Sequence, residues 1–137
     1  MKKIILLFIS IAIINVSCLN LWGETDLGNN FTLIEADKDD ISIIYCTTNN
    51  CTSGITIVPS KVIDYKFNSK WIIAKTQSDS DSILYWIIDK NIEAPKESDI
   101  SSKLLFEKLI DSHITGPVNL SEFQKELVNR DIDLTFK

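Results

Sequence analysis

The groups able to carry chemistry in this 137-residue chain are few in kind: three cysteines, one histidine and nineteen carboxylates. A single histidine, His113, excludes a multi-histidine metal centre and leaves any Ser-His-Asp triad dependent on it. It falls at the end of an expected helix, where an imidazolium interacts favourably with the helix dipole, so its role reads as structural. Asp79-Ser80-Asp81 opens like a calcium loop. An EF-hand loop, however, needs Gly at its sixth position and Glu at its twelfth, where this chain has Leu84 and Lys90. No phosphate loop, dinucleotide fingerprint, nucleophile elbow or zinc spacing is present, and only four glycines exist to build one. The expectation is a chain with no catalytic set, no metal and no cofactor, in which an enzyme would have to rest on ordinary carboxylates.

The thiols are more informative. Lys2 and Lys3 precede an apolar run from Ile4 to Ile14, broken only by Ser10, and Asn15-Val16-Ser17-Cys18 follows. That order of charged, apolar and small-residue regions is the form of an export signal. The run is shorter than the roughly 20 residues needed to span a bilayer, so a permanent transmembrane helix is not expected. Ser17-Cys18 resembles the end of a bacterial lipobox, whose cysteine is lipid-modified after cleavage, although Asn15 stands where that pattern prefers Leu. Residues 1–17 are therefore expected to be a lipoprotein signal peptide, with Cys18 acylated and inserted in the membrane. The competing reading is ordinary secretion with Cys18 a free thiol. If Cys18 carries lipid, Cys46 and Cys51 remain as a pair in an oxidising compartment and are expected to form a disulfide.

Charge narrows the partners. The formal net charge is −5, and removal of the segment carrying Lys2 and Lys3 takes away two cations and leaves −7. Such a chain repels nucleic acid and anionic headgroups and favours a cationic protein partner.

The elements that must position these groups read as α+β. At 45% hydrophobic and 24% charged, the chain suits one globular domain, expected over residues 31–137, with residues 18–30 a tether that docks Trp22. Trp71 to Thr76 and Ile83 to Ile88 are apolar on both faces and flank a polar loop, which predicts a covered, central β-hairpin. Phe31 to Ala36 and Ile41 to Cys46 form an earlier hairpin around Asp37-Lys38-Asp39-Asp40. Thr47 to Asn50 is the next turn, Ile55 to Val58 a strand ended by Pro59-Ser60, and Val62 to Phe67 a half-exposed strand. The sum is an antiparallel meander of about six strands. Two amphipathic helices packed on the sheet are expected to follow. The first carries Ile100, Leu104, Leu105, Leu109 and Ile110, with Ser98 or Asp99 as cap, and stops near His113 before Gly116-Pro117. The second opens at Asn119, with Glu122 completing a capping box and Val118 and Phe123 a hydrophobic staple. Ile132, Leu134 and Phe136 alternate as in a short edge strand.

In a meander the connections alternate ends, so the Asp37 to Asp40 turn, the Pro59-Ser60 turn and the Gln77 to Ser82 loop should share one end. That end would gather Asp37, Asp39, Asp40, Asp79 and Asp81, offset in part by Lys38 and Lys61, and is the candidate surface for a cationic protein. The competing reading is a merely solvated end, since turn aspartates are common for local hydrogen-bonding reasons.

Asp26-Leu27-Gly28-Asn29-Asn30-Phe31, Ile57-Val58-Pro59, the segments WIIAKT and YWIIDK, and Gly116-Pro117 before SEFQKEL together resemble a family of small bacterial secreted lipoproteins of unknown function. The signal, rich in Ile and Lys with Ser before Cys, is similar in style to those of Bacteroidetes-type envelopes. The resemblance covers nearly all of the mature chain and implies a fold and an envelope location without a mechanism. The expected function is a lipid-anchored, non-catalytic binding or inhibitory module in the cell envelope. Its rivals are a carboxylate-based enzyme and a purely structural envelope component.

Overall fold

The computed structural model describes residues 23–92 and 101–137. Eight strands and two helices follow one another: β1 (Gly23–Gly28), β2 (Phe31–Asp37), β3 (Asp40–Cys46), β4 (Gly54–Val58), β5 (Val62–Phe67), β6 (Trp71–Gln77), β7 (Ile83–Asp89), α1 (Ser101–His113), β8 (Ile114–Val118) and α2 (Leu120–Asn129). The strands make two antiparallel four-stranded sheets, ordered β1-β2-β3-β4 and β5-β6-β7-β8. The class is α+β, but the six-stranded meander is corrected to this pair of sheets. The break falls at residues 59–61, between β4 and β5. Pro59 has no N–H to continue a ladder, and Val58 and Val62 on either side both enter the core, so the chain crosses from one sheet to the other.

One hydrophobic core joins both sheets: Leu27, Phe31, Leu33, Ile43, Tyr45 and Val58 from the first meet Val62, Ile72, Ala74, Trp86 and Ile88 from the second, with Ile110 of α1. Phe31 and Tyr45 pack edge to face, their ring centroids 5.1 Å apart, worth about 1 kcal/mol beyond their buried area. The opposite face of the second sheet carries Trp71, Ile73 and Ile87, covered by Phe123 of α2 and by Ile132 from the C-terminal segment. β6 and β7 thus bury both faces, as the alternation of apolar residues requires, and they are the central strands of their sheet. Trp71 and Trp86 are core residues, and Trp86 Nε1 donates to Thr76 Oγ1 at 3.0 Å.

Two strands lie where none was expected. β1 occupies the supposed tether: its hexapeptide GETDLG turns only Leu27 into the core, at 0% exposure, so the sequence shows little alternation. β8 runs through Gly116-Pro117. Proline is tolerated there because, among the described residues, β8 pairs only with β7 and sits at a sheet edge. Gly116 is required for the approach, since its φ is +145° and a Cβ would come within 2.9 Å of Tyr85 O and of the Trp86 ring.

The first helix ends at His113, as read from the sequence. Ser98, Asp99, Ile100 and the side chains of Leu104 and Leu105 lie outside the described residues, as do Cys18 and Trp22. Asn119 caps α2 by accepting from Glu122 N–H at 3.0 Å, and Val118 and Phe123 share the second core. The C-terminal segment 132–137 is not a strand. It stays irregular because it lies over the face of the second sheet rather than at its edge. There Phe136 is 5.8 Å from the Phe123 ring and 4.4 Å from Lys75 Nζ.

Candidate functional site

Two connections carry the five candidate aspartates, and hydrogen bonds join them in a line through a third, the link at residues 59–61. In the β2–β3 turn Asp37 faces Asp40 across the ladder, and Lys38 N–H donates to Asp37 Oδ1 at 2.6 Å. Asp40 Oδ1 accepts from Ser60 Oγ at 2.7 Å, which ties that turn to the link between the sheets. One residue on, Lys61 O accepts from Gln77 N–H at 3.0 Å, and Gln77 Nε2 donates to Asp81 Oδ1 at 3.1 Å in the β6–β7 loop. Asp40 and Asp81 therefore terminate one continuous set of contacts running from the first sheet to the second. The loop itself is closed by Ser78, whose hydroxyl accepts from Ser82 N–H at 3.2 Å, while Asp81 takes a left-handed φ of 61°. Asp37, Asp39, Asp40, Asp79 and Asp81 are all exposed, and none belongs to an ion pair among the described residues. The described residues hold no group of three or more metal-ligating side chains. What this end offers is a negative potential displayed on short, internally bonded turns.

A second feature was not anticipated. Between β4, β7, β8 and α1 lies a cavity of about 320 Å³, floored by Ile55, Ile57, Trp86, Ile110 and Ile114. Glu107 and Asp111, one helical turn apart on α1, are exposed and stand at its rim. Its volume is at the small end of ligand pockets. A sequence signal existed, because Glu107 and Asp111 flank the inward Ile110 at helical spacing, but charged residues beside an apolar stripe usually mark only a solvated face.

Lys90 was likewise missed as anything but a failed calcium ligand. Its side chain is 3% exposed. Nζ donates to Asn68 O at 2.6 Å, in the β5–β6 turn, and to Leu27 O, on β1. It also lies 5.5 Å from the Phe67 ring. One ammonium thus clasps the two sheets at a single end. Burial lowers its pKa below the ordinary 10.5, and the nearby Asp26 carboxylate opposes that shift. The signal in sequence was the alternation itself: with Ile88 inward and Asp89 outward, position 90 points in.

The cysteine pairing is present. Cys46 and Cys51 form a disulfide with Cα atoms 4.8 Å apart. The turn read at Thr47 to Asn50 is only part of a longer loop, because β4 begins at Gly54, which pairs with Cys46. Cys51 lies inside the longer loop with φ 51°, where Cys51 N–H donates to Thr48 O at 3.1 Å. His113 at the end of α1 donates through Nδ1 to Leu109 O at 2.8 Å, a local tie within the last turn.

A family model described as Protein of unknown function (DUF3997) matches residues 28–137. The chain belongs to that family. The match starts at Gly28, the last residue of β1, and takes in β2 to β8, both helices and the C-terminal segment, so the acidic end, the cavity and Lys90 fall within the family domain, whereas Leu27, one of the two acceptors of Lys90, lies just before it. No curated protein and no solved structure matches the chain.

Proposed function

We propose that this member of the DUF3997 family is an exported module, acylated at Cys18 and held at the cell envelope, that binds a basic protein through the acidic end of its two sheets. The observation that carries the reading is the set of five exposed aspartates on two connections, joined through the 59–61 link by the Asp40–Ser60, Lys61–Gln77 and Gln77–Asp81 bonds. Short bonded turns present charge without a large ordering cost on binding, which suits electrostatic steering. The export signal and the Cys46–Cys51 bridge support a location outside the reducing cytoplasm, in a Bacteroidetes-type envelope. The role assigned is non-catalytic, that of a binding or inhibitory protein.

Affinity capture of the intact protein from its own envelope supplies the partner, and the intact mass of the mature N-terminus reads the acylation. The decisive measurement is the association rate of that partner with Asp39→Asn/Asp40→Asn/Asp79→Asn/Asp81→Asn at low salt. The expected outcome is a rate about tenfold or more below that of the unsubstituted protein, with the difference closing as added salt shortens a Debye length of about 10 Å at 0.1 M. A folded variant that associates at an unchanged rate places the binding surface elsewhere.

The cavity favours a second reading, in which the site is small and internal: an apolar floor with Glu107 and Asp111 at its mouth suits a ligand with an apolar body and a cationic head. A carboxylate-based enzyme would use the same two residues. Thermal stabilisation by alkylamines, lost in Glu107→Gln/Asp111→Asn, distinguishes it from the first.

A further inference from the structure

We propose that the outer edge of β5 pairs with the same edge of a second copy, antiparallel and centred on Tyr65. Among the described residues β5 is bonded only to β6, so one side of its backbone is unpaired. Asn68 N–H donates to Trp71 O at 3.0 Å, which fixes which residues face β6. Alternating back from Asn68, Lys66 and Asp64 turn their backbone groups toward β6, and Phe67 and Tyr65 turn theirs away, up to the bulge between Val62 and Asp64 where the alternation ends. The Tyr65 amide agrees: it points out of the ladder and donates to Asp64 Oδ1 at 2.9 Å.

Three two-fold registers have their centres between the bulge at Val62–Asp64 and the end of the strand at Phe67. Centred on position 64, the pairing sets Asp64 against Asp64. Centred on position 66, it sets Lys66 against Lys66. Centred on Tyr65, it sets Tyr65 against Tyr65 and Asp64 against Lys66 twice, so among the three charge selects this register. Ile63 and Phe67, 49% and 43% exposed, flank these pairs and would lose contact with water on association. The charged pairs fall at positions without backbone bonds, where opposing side chains approach most closely. On pairing, Asp64 releases the Tyr65 amide to the carbonyl of Tyr65 in the second copy and turns to Lys66 there. The contact is short, at the small end of protein interfaces, so association is weak in solution and is strengthened when copies are concentrated on a surface.

Sedimentation of the full chain over a concentration series, with folding followed by circular dichroism, tests the proposal. Lys66→Asp should weaken the dimer roughly tenfold, because both charged pairs become repulsive. High salt should restore part of that loss by screening. Asp64→Lys should do the same, and an equimolar mixture of the two single variants should form a heterodimer, since opposite charges then meet at both pairs. If Asp64→Lys fails to fold, the response of Lys66→Asp to salt decides. A dimer indifferent to Lys66→Asp, or a chain that stays monomeric at every soluble concentration, overturns the proposal.

Discussion

Enclosing an ammonium between backbone carbonyls costs desolvation energy that its hydrogen bonds return only in part. Lys90 is held in this way by Leu27 O and Asn68 O. Lys90→Met keeps the apolar stem and removes both bonds, leaving two acceptors without their donor, and should lower stability by about 1–2 kcal/mol in urea unfolding at neutral pH. The pH dependence follows from the direction of its shift. Because burial holds the Lys90 pKa below 10.5, the unfolded chain binds that proton more tightly than the folded one. The contribution of Lys90 is therefore least favourable below its folded pKa and improves as pH rises toward 10.5. The gap between the unsubstituted protein and Lys90→Met should accordingly widen through the alkaline range. A gap that narrows there would mean that the shift runs the other way.

At the scale of elements, the loop between β3 and β4 carries both the disulfide and its own bonds. Thr52 N–H donates to Thr48 Oγ1 at 3.0 Å and Thr47 N–H to Ser53 O at 2.9 Å. Cys51→Ser removes a short closure worth about 2 kcal/mol in the chain-entropy model, so the variant should fold, with a urea midpoint lowered to match and an unchanged m-value. How far the elements were legible depended on how much of each strand's pattern its own residues carry. β6 and β7 were readable because both of their faces are apolar, and α2 because Asn119 and Val118 mark its start. β1 was not, since one leucine is its only core anchor. β8 was not, because Gly116-Pro117 reads as a terminator unless the strand is known to be an edge. The division into two sheets was hidden in residues 59–61, which look like a tight turn. Of the candidate site, the aspartates were visible as turn residues, whereas the contacts of Asp40 with Ser60 and of Lys61 with Gln77 exist only because the chain changes sheet between them. Glu107, Asp111 and Lys90 needed the third dimension, since each gains its meaning from a strand distant in sequence.

Across the whole molecule, the second sheet separates two cores, one shared with the first sheet and one with α2 and the C-terminal segment. The first sheet is tied to the rest by its interior side chains, by the 59–61 link and by Lys90. Under tension applied from the N-terminal side, as an envelope tether on Cys18 would apply it, β1 is the strand that receives the load. Among the described residues it is an edge strand paired only with β2, beginning at Gly23 opposite Glu35, so force peels its pairs away one after another rather than shearing them together. Peeling must stop at Leu27, whose side chain is fully buried and whose carbonyl Lys90 holds from the other sheet. Optical-tweezers records should therefore show an early, low-force extension of a few residues followed by a distinct resistance, and Lys90→Met should lower the force at which that resistance gives way. On that outcome the clasp would be a mechanical stop, with residues 23–26 giving way as a spring while the acidic end stays folded under load.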